Sequence, residues 1–144
     1  MSADAIIYVD DPAGVTLADL TRFFEGWRAA PAPDRCLAAI AGADACVLAF
    51  DGDRLVGFAT ALTDRALFAF IPLVEVVSSH RRRGIGSELV SRITHAFGPI
   101  YGTYLCCDED TVGFYERLGF DPVVGMVLQD LDAATLPGRE PQGR

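Results

Sequence analysis

Histidine is scarce in this sequence, two in 144 residues, and the four cysteines, Cys36, Cys46, Cys106 and Cys107, form no Cys-x-x-Cys pair. Only His80 and His95 remain to complete a ligand set, so no metal site is expected. Cys106 and Cys107 end an apolar run and on a strand would point to opposite faces, which argues against a disulfide between them. The thiols read as reduced and partly buried, and any that is exposed is open to reaction. No uncharged apolar stretch nears the roughly 20 residues that span a bilayer, so no membrane partner is expected. The first residues carry Asp4, Asp10 and Asp11 but no basic region, so they do not read as a secretory signal and a cytoplasmic location is expected. Basic residues are also few: 12 against 20 acidic, a net charge of −8 and a pI near 4.6. Such a chain repels a polyanion everywhere except at Arg81, Arg82 and Arg83, which excludes nucleic acid as the main partner. The acidic stretches at Asp51 and Asp53 and at Asp108 to Asp110 read first as solvated surface and second as steering for a cationic partner.

Apolar residues, by contrast, are abundant at 51%, with a mean hydropathy of +0.27. The length suits one domain with a real core, and the apolar surplus leaves surface that a homodimer interface would cover. The pattern alternates strands and helices as a mixed α/β (α+β) domain does, over residues 1–136, and 137–144 carry no apolar pattern and are expected to be disordered. Ala5 to Val9 reads as an opening strand. Thr16 is placed to cap a helix reaching about Arg28, and a second short helix follows the Pro31-Ala32-Pro33 break to about Ala41. Cys46 to Phe50 and Leu55 to Leu62 read as a hairpin across Asp51-Gly52-Asp53. Leu67 to Val77 is the central strand, in which Pro72 cannot donate to a ladder and so marks a bulge or a splay. From Gly84 to Phe97 a helix buries Ile85, Leu89, Ile93 and Phe97. Ile100 to Cys106, Thr111 to Leu118 and Phe120 to Gln129 read as strand, helix and closing strand or strand pair.

Chemistry concentrates in Val76-Val77-Ser78-Ser79-His80-Arg81-Arg82-Arg83-Gly84-Ile85-Gly86-Ser87-Glu88-Leu89-Val90, a β-prone run that passes through arginines and glycines into an amphipathic helix. Glycines let backbone N–H groups close on an anion, and the helix aims its unsatisfied donors at the same place. A dinucleotide fingerprint needs a glycine where Leu89 stands, and a P-loop needs a spacing and a Lys-Ser/Thr that are absent. What remains, Arg81-x-x-Gly84-x-Gly86, resembles the coenzyme A pyrophosphate loop of the GNAT N-acetyltransferases. Asp110-Thr111-Val112-Gly113-Phe114-Tyr115-Glu116-Arg117-Leu118-Gly119-Phe120, about thirty residues on, resembles the family's C-terminal helix. Within it Val112, Tyr115 and Leu118 share one face, and Gly119 fits the left-handed position that closes a helix.

The resemblance implies a mixed, mostly antiparallel sheet of roughly six to seven strands flanked by about four helices, with the cofactor cleft at a bulged and splayed central strand. It implies an acyltransferase that moves the acetyl group of acetyl-CoA directly to a primary amine of a small molecule or peptide, through a tetrahedral intermediate. Backbone at Val74 and Val76 is expected to pair with pantetheine, and Arg81, Arg82, Arg83, Gly84, Ile85, Gly86 and Ser87 to hold the pyrophosphate. Asp108 stands where relatives often carry a cofactor-contacting asparagine, and is also placed to cap the last helix. Tyr115 is the expected general acid, protonated at neutral pH with an unperturbed pKa of about 10. The base is open. Phe70 and Pro72 stand near the positions of a glutamate found in some members, and Glu75 is the only carboxylate on the strand. Strand alternation puts Glu75 on the face opposite Val74 and Val76 unless the bulge re-aims it. Pairing of Glu75 with a nearby arginine or with the acceptor's amine, or water relays to solvent, are the alternatives. A coenzyme A-binding sensor or partner-binding module without turnover is the other functional reading.

Overall fold

A computed structural model describes residues 5–135, so the tail 137–144 lies outside the described residues. The sheet is organised on a turn at Asp51-Gly52-Asp53, where Gly52 takes φ +63°, a conformation that strains residues with a Cβ. Strand β1 (Ile7–Val9) pairs with β2 (Ala45–Asp51), β2 with β3 (Arg54–Thr63) and β3 with β4 (Phe68–Val76), all antiparallel, and β4 runs parallel to β5 (Gly102–Leu105). The order is β1-β2-β3-β4-β5, which leaves β1 and β5 as edges. Residues Leu55 to Ala61 of β3 are buried without interruption, because both faces of this middle strand are covered.

Helix α2 (Ile85–Thr94) lies on one face and buries Ile85, Leu89, Val90 and Ile93. Each of these side chains contributes about 1.5–3 kcal/mol by leaving water. Gly57 sets how close α2 comes, since a Cβ there would stand 3.1 Å from Leu89 and 3.2 Å from Ile85. On the other face Phe23 and Phe24 pack edge-on against Phe58, with centroids at 5.0 and 6.2 Å. Cys36 and Ile40 of α1 (Pro33–Gly42) are fully buried in the same core. Among the described residues no helix is long and apolar enough to cross a membrane.

Among the described residues the sheet has five strands rather than six to seven, and there are three α-helices rather than about four. The helix expected from Thr16 to Arg28 is a 3-10 turn over Ala18–Arg22. Thr16 and Asp19 do bond across the first turn, but Phe24 at φ +68° and Gly26 at φ +84° turn the chain so that Phe23 and Phe24 both reach Phe58. Two aromatic anchors on one sheet outweigh the local helical pattern. The strand expected over Phe120 to Gln129 has no ladder partner and is irregular. Helix α3 (Val112–Glu116) ends as expected, with Gly119 at φ +94°.

Candidate active site

Beyond Val76 the chain makes a 3-10 turn, Ser78–His80, and then enters the arginine loop. His80 is buried and anchors that entry: its Nε2 lies 2.8 Å from Asp51 Oδ2 at the hairpin turn, and its Nδ1 lies 2.8 Å from Ser79 Oγ. Arg82 follows in the left-handed region at φ +61°, which costs a residue with a Cβ about 1–2 kcal/mol. Gly84, at φ +83°, is the N-cap of α2. A Cβ built on Gly84 meets nothing within 4 Å, so the loop is open on that side. No side chain covers the first donors of α2, and the N–H groups of Ile85, Gly86 and Ser87 have no partner within the helix by its geometry. Arg81, Arg82 and Arg83 are exposed, and among the described residues none of them forms an ion pair. A phosphate-sized anion therefore meets amide donors, a helix dipole and uncompensated guanidinium charge together.

The adjoining strand opens a gap. Thr60 faces Leu73 and Leu62 faces Phe70, so Ala61 alone opposes both Ile71 and Pro72: β4 carries the bulge at its proline. Pairing of β4 with β5 ends at Ile71 and Leu105, while β4 continues to Val76. Val77 N–H donates to Val56 O on β3, so by alternation the N–H and C=O groups of Val74 and Val76 point the other way, into the space beside β5. Arg81 Nε donates to the Val76 carbonyl at 3.2 Å. Helix α3 crosses the end of this gap, with the Phe114 ring 3.4 Å from a Cβ built on Gly86 and Val76 Cγ2 at 4.0 Å.

Two titratable groups on different elements, Glu75 on β4 and Tyr115 on α3, lie close enough to influence each other electrostatically. Glu75 is buried on the face of Phe58, its cross-strand partner, and Trp27 Nε1 donates to Glu75 Oε1 at 2.9 Å. Burial raises the Glu75 pKa above the ordinary carboxylate value, opposed by the Trp27 donor, the Arg81 charge and the Phe24 amide. Tyr115, on α3, packs edge-on against Phe114 and Phe120 at 4.9 and 5.7 Å. Burial pushes its pKa up to about 12, and the Cys107 and Glu75 charges act in the same direction. One group is thus a carboxylate made more basic, the other a phenol held protonated.

Residues 15–120 match the acetyltransferase (GNAT) family. The chain belongs to the GNAT acetyltransferase family. The GNAT domain is 39% identical to a protein from Deinococcus radiodurans R1 assigned as an acetyltransferase, whose crystal structure superposes with a TM-score of 0.88 over 96% of this chain and 98% of that one. A GNAT-family acetyltransferase from Streptococcus pneumoniae TIGR4 is 27% identical, with a TM-score of 0.72 over 88% and 98% of the two chains. No curated protein matches the sequence.

Within this GNAT domain Arg82, Arg83, Gly84, Gly86 and Ser87 gather at the N-terminus of α2, and Ile85 contributes its amide while its side chain enters the core. The Arg81 side chain turns back onto β4, where it donates to the Val76 carbonyl. Asp108 is exposed and its carboxylate caps no helix; its backbone carbonyl accepts from Thr111 N and Oγ1 instead. Cys106 and Cys107 are exposed rather than partly buried, because β5 ends one residue before them. Cys36 and Cys46 are buried, and burial pushes the Cys36 thiol up to about 12. Among the described residues no cluster of His, Cys, Asp or Glu is placed to hold a metal ion. Trp27 and the His80–Asp51 pair escaped the sequence reading. Trp27 lies 48 positions from Glu75, and its helical spacing with Phe23 and Phe24 points to packing and not to a carboxylate partner, whereas His80 sits next to Arg81 and reads from sequence only as a candidate metal ligand.

Proposed function

We propose that this protein is an N-acetyltransferase that moves the acetyl group of acetyl-CoA to a primary amine of a small molecule or peptide. The observation that carries the proposal is the gap beside residues 72–76 of β4, which runs onto the glycine-capped start of α2 with Glu75 and Tyr115 beside it. GNAT acetyltransferases use acetyl-CoA, and the residues here fit it: the amides of 82–87 and the arginine charges suit the pyrophosphate, and the strand groups of Val74 and Val76 suit the pantetheine amides. Arg81 would yield the Val76 carbonyl or share it. Acetyl-CoA supplies an acyl group activated as a thioester.

The chain's own residues supply the rest. Glu75 accepts the proton that the amine loses as its nitrogen bonds to the acyl carbon, a task suited to a carboxylate of raised pKa. The backbone N–H of Val76 or Val74 meets the developing oxyanion. Tyr115 gives its proton to the departing sulfur. A thiol with a pKa of about 8.5 leaves tolerably as thiolate, so Tyr115→Phe is expected to lower kcat only about tenfold, with KM for acetyl-CoA little changed. Steady-state kinetics with free-thiol detection checks this, and equal kcat in the variant removes Tyr115 as the acid. A panel of primary amines tests the function itself: acetyl-CoA binding without amine-dependent thiol release would leave the non-catalytic module.

A further inference from the structure

His80 is a buried titratable side chain that the proposed proton transfers do not use. An ionised carboxylate only accepts hydrogen bonds, so the Nε2 that lies 2.8 Å from Asp51 Oδ2 carries a proton, while Nδ1 meets the Ser79 hydroxyl at 2.8 Å. Both ring nitrogens are thus satisfied within the protein, and the imidazole is fixed at each. The pair joins positions 29 apart in sequence: the turn between β2 and β3, and the last residue before the three arginines. At its other end the loop enters α2 at Ile85, whose side chain is 2% exposed. Between these two buried points residues 81–84 are all exposed, and the chain crosses the left-handed region twice, at Arg82 (φ +61°) and Gly84 (φ +83°). Backbone in such a sparsely populated conformation persists where its surroundings over-determine it. Here the surroundings are the two ends.

From this geometry we infer that His80 and Asp51 are positioning residues for coenzyme A: their hydrogen bond fixes where the loop leaves the sheet, so that the amides of 82–87 already converge before the pyrophosphate arrives. The inference rests on the proposed reading of that loop as the pyrophosphate site. Holding a binding loop in its bound shape raises affinity because less ordering is left for the ligand to impose. Simple electrostatics argues the other way for Asp51. Its carboxylate stands one side chain away from the arginine loop, and a negative charge there opposes an incoming anion. If charge alone mattered, removing Asp51 would tighten coenzyme A; if position matters, removing it loosens coenzyme A. The sign of the effect decides between them.

Calorimetric titration of coenzyme A into the full chain and its variants tests it. Asp51→Ala removes the acceptor of the Nε2–H and is expected to weaken coenzyme A about tenfold, although it also removes a negative charge. Asp51→Asn keeps an oxygen for that N–H and should bind within about threefold of the wild type. Asp53→Asn deletes a charge in the same turn and should not weaken binding. The Asp51 side chain is 33% exposed, so its loss should leave the circular dichroism spectrum unchanged. A truncated donor separates position from general damage. S-acetylpantetheine carries the thioester without the pyrophosphate, so its kcat/KM should be equal in Asp51→Ala and the wild type, whereas for acetyl-CoA the loss should sit in KM. Asp51→Ala that binds coenzyme A as tightly as the wild type, or more tightly, overturns the inference. So does an equal loss with S-acetylpantetheine, or Asp51→Asn as weak as Asp51→Ala. Coenzyme A binding without amine-dependent thiol release would sink the acetyltransferase reading alone, because the calorimetric comparison needs no turnover.

Discussion

Glu75→Gln is expected to lower kcat on the order of a thousandfold while leaving acetyl-CoA affinity within a few fold. The substitution keeps the size of the side chain and an oxygen for the Trp27 donor, and removes only the capacity to take a proton. Fold stability should not fall. The Glu75 pKa is raised in the folded state, so its stabilising contribution is full at low pH and fades as pH rises through the folded value. At neutral pH the buried charge is therefore a cost that glutamine does not carry, and the variant's Tm should equal or exceed that of the wild type. An unchanged kcat would assign proton removal to water. The pH profile gives an independent reading: kcat/KM should decline as pH falls through the raised Glu75 pKa. Because the Trp27 N–H favours the ionised carboxylate, Trp27→Phe should move that acid limb to higher pH, and a limb that stays in place would separate Glu75 from the rate.

Gly84→Val is expected to reduce kcat/KM for acetyl-CoA on the order of a hundredfold, mainly through KM. Gly84 stands at φ +83°, which a β-branched residue does not adopt without strain, although the surrounding space is open. Relief of that strain would swing the N–H groups of 84–86 away from a common centre, and the anion would lose several donors together. Isothermal titration with coenzyme A measures the loss directly. Gly84→Ala at wild-type affinity would show that the left-handed turn is dispensable and that arginine charge alone holds the pyrophosphate.

Much of this site was legible because its signals are local. Gly84 and Gly86 lie two residues apart at a strand-to-helix junction; Gly84 needs backbone freedom at φ +83°, Gly86 leaves room for the Phe114 ring, and α2 begins one residue after Gly84. Pro72 announced the bulge, since a proline cannot donate to a ladder, and the register slips at that residue. The helix over Thr16 to Arg28 misled for the opposite reason. Phe23, Phe24 and Trp27 have helical spacing, but their partners are Phe58 and Glu75, 34 or more positions away, and those contacts turned the chain out of the helix. The closing strand misled because an apolar run states that it must be covered and not by what.

The sequence alone determined the glycine turn ahead of α2 and the bulge, since both rest on conformational limits of glycine and proline, while its two motifs carried the resemblance that implied the family and the candidate acid. Only the tertiary structure decided that Glu75 is buried under Trp27, that His80 ties the loop to Asp51, that Arg81 turns back to Val76 and that the segment 121–130 lies bare. Those facts depend on which distant residues share a surface, and burial, pKa and partner choice are properties of the surface and not of the segment.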